Sequence, residues 1–177
     1  MTHFIRTLIL AVIAATVAAP AIAEEGAKPV QLSLWDPVQI HNRETDIEGF
    51  RLSLYGNNAD MIGLDLGVVS RNTGLMKGVQ WTVVGWVEGE MVGWQNGALA
   101  AVVKGKATGL QTGYLFNSAE TGTVVQFGFL NIGTDIKGFQ LGIVNYVEKM
   151  HGLQIGLINI IRQDGFLPVF PIVNWSF

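Results

Sequence analysis

The chain has 177 residues, a formal net charge of −3 and no cysteine. Without cysteine there is no disulfide, no thiol catalysis and no Cys-based zinc site, and a weakly acidic chain lacks the basic footprint of a nucleic-acid binder. Charged residues make up only 14%, and 22 residues are glycine. That composition suits extended sheet with many turns rather than a disordered tail.

Met1 to Ala23 reads as a secretory signal peptide. Arg6 supplies the positive start, Leu8 to Ala19 the apolar stretch, and Ala21-Ile22-Ala23 a small-residue cleavage site. The stretch is short of the ~20 apolar residues that a spanning helix needs. The remainder, 24–177, is expected to be a single domain, exported to the periplasm, the outer membrane or the cell surface. Val30 to Trp35 alternates and predicts a first strand, and Asp36-Pro37 ends it. Val38 to Ile40 is a short extension, and His41 to Glu48 a polar loop.

From Gly49 to about residue 161 the chain repeats itself. Eight copies begin at Gly49, Gly63, Gly78, Gly93, Gly109, Val124, Gly138 and Gly152, in steps of 14 to 16 residues. A fixed short period marks a repeat architecture. Take the lead residue as column one. Columns two, four and six are mostly large and apolar, as in Phe139, Leu141 and Ile143. Column three is chiefly Gln and column five chiefly Gly. This alternation predicts one strand per copy, and we assign columns two, four and six to the buried face. The linkers add about one apolar residue per copy, such as Ile47, Met61 or Met150. Phe166 to Phe177, with Pro168 and Pro171, predicts an edge strand or cap.

Two all-β architectures take such strands: a β-solenoid of 14–16-residue coils, or a small antiparallel outer-membrane barrel of about ten strands. The aromatic end, Trp175 and Phe177, favours a barrel. Against it, columns two to six span about 13 Å at strand rise, whereas a barrel's apolar band is about 25 Å tall. The unit is also one strand rather than a hairpin. The solenoid is therefore preferred, and its stacked columns predict Gln and Asn ladders.

The copies at 138 and 152 resemble a family of exported bacterial surface-repeat proteins built from G-h-Q-h-G-h-h-N units, where h is apolar. The resemblance runs from Val30 to Phe177, with Arg51 and Asp65 departing from the Gln column. It implies location and repeat nature, and no activity.

No metal-binding spacing, nucleophile elbow or phosphate loop is present. His41 and His151 are far apart in sequence, and carboxylates fall mainly in connections. We therefore expect no catalytic residue, metal or cofactor. Arg51 and Asp65 share a column in adjacent copies, which predicts a structural cross-strand pair. Trp81 and Trp94 are assigned to the core and Trp86 to the surface, with an aromatic sugar platform as the alternative. The face opposite columns two, four and six is the candidate interaction face: Gln111, Gly113, Gln126, Gly128, Gln140, Gly142, Gln154 and Gly156. Gly inside a strand weakens it, so a column of Gly signals close approach of another backbone, a second layer or a partner. The expected role is a non-enzymatic structural or interaction module of the cell envelope. Its partner would be an envelope protein, a second copy or the outer membrane, and not nucleic acid.

Overall fold

The computed structural model describes residues 26–177, so the signal-peptide reading and its cleavage site lie outside the described residues. The described residues form ten strands in one sheet and no helix. They are β1 (Lys28–Trp35), β2 (Val38–Gln39), β3 (Ile47–Asn58), β4 (Met61–Asn72), β5 (Met76–Val87), β6 (Met91–Gly113), β7 (Phe116–Phe127), β8 (Leu130–Leu141), β9 (Val144–Gln163) and β10 (Val169–Ser176).

β1 lies parallel to β3, and each strand from β3 to β9 lies parallel to the next. Gly63 faces Gly78, Gln80 faces Gln95 and Gly138 faces Gly152. The chain is thus a β-solenoid of about nine turns. An antiparallel barrel is set aside, because parallel neighbours one period apart require a coil rather than a hairpin.

Each coil has two arms and two corners. Columns three and five point inward on the first arm, and columns eight and ten on the second. Columns six and seven both point outward, which marks the first corner; the polar linker forms the second. At two coils the register departs from the sequence columns. Ala100 and Phe116, rather than Leu99 and Leu115, align with Val84 and Leu130. Leu99 and Leu115 are extra residues at the first corner.

The assignment of the two faces is reversed from the sequence expectation. Columns two, four and six face outward: Leu141 is 41% exposed and Leu157 66%. The apolar core is instead the linker column, Ile47, Met61, Met76, Met91, Ala107, Ile136 and Met150. It packs against the second arm's Val87, Val103, Ala119, Val147 and Ile161. This core lies beside the polar corner. The rest of the interior is mostly amide and small side chains, with Arg51 and Asp65 among them.

The lead glycines explain the tight stacking. Gly63 has φ +127°, and a Cβ on it would overlap the carbonyl oxygen of Gly49 in the coil before. A side chain there meets both an unfavourable conformation and a backbone. In the sixth copy the positive φ moves to Gly122, and Val124 is buried among the core residues.

Both ends are closed. At the first, Gln31 donates from Nε2 to the His41 carbonyl at 2.8 Å and accepts from the His41 amide at 3.0 Å. At the other, β10 pairs antiparallel with β9, as expected of a proline-bearing cap. Phe166 stacks on Trp175 with centroids 4.4 Å apart. Asn174 donates to the Leu167 carbonyl at 2.8 Å.

Candidate interaction surface

Column three is a continuous buried relay. Gln154 donates to Gln140 at 2.7 Å, Gln140 to Gln126 at 2.6 Å, Gln126 to Gln111 at 2.7 Å and Gln111 to Gln95 at 2.9 Å. Gln95 donates to Gln80 and Gln80 to the Asp65 carboxylate, both at 2.9 Å. Asp65 in turn receives Nε and Nη2 of Arg51 at 2.8 and 2.6 Å. Every amide in the relay points its N–H towards Asp65, so the carboxylate sits at the positive end of the ladder. The Arg51 guanidinium then neutralises it. Both side chains are fully buried, which bears out the cross-strand pair.

Several glutamines also tie the two arms together. Gln111 donates to the Ser118 carbonyl at 3.2 Å, and Gln154 to that of Ile160 at 3.3 Å. A second ladder starts the second arm, just past the first corner. Asn117 donates to Asn131, Asn131 to Asn145 and Asn145 to Asn159, each at 2.8 Å. It runs opposite to the Gln relay, so the two sets of amide dipoles offset each other. The same asparagines donate to the Phe127, Leu141 and Ile155 carbonyls, at 2.8, 3.1 and 2.9 Å. Paired in this way, a buried amide avoids most of its desolvation cost.

The Gln and Gly columns are therefore interior, which corrects the expected interaction face. Gln111, Gln126, Gln140 and Gln154 are buried, and so is Gly113; Gly128, Gly142 and Gly156 are half-buried. None presents a side chain to a partner. The close approach inferred from column five is real, but it is made by the chain itself. A Cβ on Gly142 would overlap the Gly128 carbonyl and come within 2.6 Å of Asn131 Nδ2.

What faces outward is apolar. Trp81, expected in the core, is 52% exposed and meets Trp94 edge-to-face at 5.2 Å. Trp94 Nε1 donates to Thr112 Oγ1 at 2.9 Å, and Thr112 donates to Asn96 at 2.8 Å. Trp86 is half-buried, with Lys104 Nζ 4.9 Å from its ring centre. An apolar concavity of about 650 Å³ opens between β1, β2 and β3, lined by Leu32, Leu34, Val38, Ile40, Leu52 and Leu54. The sequence reading missed the first corner itself. Its signal is visible in columns six and seven, where two adjacent apolar residues break the alternation in nearly every copy.

Charge is kept away from the first arm and the first corner. Beside Arg51 and Asp65, columns two to eight of the eight copies carry no Asp, Glu, Lys or Arg. Ion pairs lie at or near the polar corner: Arg71 with Glu88 at 2.7 Å, and Lys106 with Glu90 at 3.4 Å. The hydrogen bond from Arg71 holds the Glu88 carboxyl below its ordinary 4.5, against the opposing effect of desolvation. Among the described residues no group of three or more His, Asp or Glu side chains is placed to hold a metal ion.

Comparison with protein-family models, with curated proteins and with solved structures returns no match.

Proposed function

We propose that the chain is a non-enzymatic structural or interaction module of the bacterial cell envelope. It is exported by residues 1–23 and works through its outward surface. One observation carries this reading: a coiled scaffold buries its amide ladders and presents apolar side chains on its first arm and first corner, while its charged residues gather towards the second corner. An exposed apolar surface of such extent marks an interaction site rather than ordinary solvated sheet. The ladder amides serve the scaffold, since each hydrogen-bonds to its neighbour or to the backbone; Asn72 and the ladder ends at Gln154 Oε1 and Asn117 Oδ1 are buried without a partner. The enzyme reading has no support from a convergent set of reactive groups.

Cell fractionation followed by mass spectrometry of the N-terminus tests the address. The expected product begins at Glu24 and is found in the envelope, and Ala23→Arg blocks its processing because position −1 takes a small residue. A cytoplasmic chain that keeps Met1 would overturn the reading.

A further inference from the structure

The apolar exterior is not one flat face. It runs along the first arm, turns the corner through residues such as Leu54, Leu115, Phe129 and Leu157, and continues onto the second arm at half-buried Val102, Ile132 and Tyr146, with Arg71 interrupting it in an early coil. A second copy packs sheet on sheet, about 10 Å away, and covers one face. It leaves the corner and the other arm in water. A fluid apolar phase covers all three.

We infer that this corner inserts into the hydrocarbon of one leaflet of a lipid bilayer, with the solenoid axis lying in the membrane plane. The dimensions agree. Columns two to six reach about 13 Å along the first arm, and one leaflet contributes about half of a ~30 Å hydrocarbon core. The wedge is too shallow to span and deep enough to anchor.

Hydrocarbon also demands that backbone polar groups be satisfied within the protein. Here the strands from β4 to β8 are paired with neighbours on both sides along the axis, and β3 pairs with β1 only as far as Ser53. In the later coils, carbonyls near the corner are taken by the Asn ladder. Of the formal charges near this depth, Arg51 and Asp65 are paired inside, and Arg71, outward on the second arm, is paired with Glu88 towards the polar corner. A polar interior beneath an apolar exterior, with the ionic residues gathered towards the opposite corner, is the arrangement of a protein solvated by lipid on that side. That opposite corner mixes signs, as in Glu88, Glu90, Lys104, Lys106, Glu148 and Lys149. Binding is therefore driven by apolar burial and needs no anionic headgroup. This deepens the envelope reading and rests on it only for which membrane is met; fractionation tests the address separately from the contact.

The test uses the full chain and vesicles of phosphatidylcholine. In flotation, the parent rises with the vesicles at both low and high salt. Acyl-chain bromination quenches its fluorescence, and the quenching falls in Trp81→Phe. The comparison is Leu115→Glu/Leu157→Glu, two exposed corner positions that leave the interior untouched. It carries the same residues 1–25, so any difference reports on the corner. Its partitioning falls roughly tenfold or more, as for a charge placed in hydrocarbon, while its β circular dichroism is unchanged. If the variant does not fold, quenching of Trp81 in the parent decides alone. A parent that stays at the bottom of the gradient, or that floats no better than the folded variant, overturns the inference. So does a soluble dimer that ignores vesicles and is split by the double substitution; that result would assign the corner to a second copy.

Discussion

Arg51 and Asp65 stand 14 residues apart in sequence and meet through two parallel hydrogen bonds, at 2.8 and 2.6 Å, with neither side chain exposed. They replace two glutamines in an otherwise amide column. A bidentate guanidinium–carboxylate pair supplies fixed geometry, and Asp65 also receives Gln80 and Ser70. The pair is thus the terminus of the Gln relay rather than a ligand site.

Removing one member strands a buried charge. Arg51→Met or Asp65→Asn is expected to destabilise the fold by about 3–5 kcal/mol. Replacing both, as Arg51→Gln/Asp65→Gln, extends the relay and is expected to be neutral or stabilising. Urea denaturation of the three variants checks this. A double variant no better than the singles would mean that the charges, and not ladder continuity, hold this end together.

The core prediction follows the observed faces. Met76 is fully buried beside the polar corner, so Met76→Ala is expected to cost about 2–5 kcal/mol. The alternation alone places that cost at Leu141 or Ile155. Leu141 is 41% exposed and Ile155 half-buried, so Leu141→Ala is expected to cost less than about 1 kcal/mol. Melting temperatures of the two variants in detergent-free buffer discriminate. Equal losses would return columns two, four and six to the interior.

Gly142→Val and Gly156→Val are expected to prevent correct coiling, although Val is the better strand former. At Gly156 a Cβ overlaps the Gly142 carbonyl and crowds Asn145 Nδ2 at 2.6 Å. Neither backbone nor ladder can withdraw without losing hydrogen bonds. The readout is soluble yield and β circular dichroism. Parent-like values would show that the coils are looser than this stacking implies.

Acid should weaken the polar corner in one direction. Glu88 is held below its ordinary 4.5 by the hydrogen bond from Arg71. A depressed carboxyl stabilises fully above its unfolded value, and that contribution fades as pH falls through the folded one. The pair is partly exposed, so the effect is small and reduced by salt. The difference in stability between the parent and Glu88→Gln should shrink below about pH 4. A difference that is constant with pH would show that Glu88 acts through packing alone.

The sequence by itself determined the period, the all-β class, the preference for a coil, the proline-bearing cap and the stacking of Gln and Asn into ladders. It also placed Arg51 against Asp65, because equal columns of a parallel repeat must become neighbours. What the tertiary structure decided was which side of each strand faces in. Period-two alternation separates two faces and names neither. Hydrophobicity points columns two, four and six inward, as at Leu141. Yet the space between the arms is narrow, and the Gly and amide columns fill it. Stacked coil on coil, Gln140 and Asn145 each find a partner of their own kind, so burial costs them little. An isolated strand cannot show this, since each amide's partner lies one coil away. The apolar corner at Leu115 and Leu157 became legible only once that inward set was known.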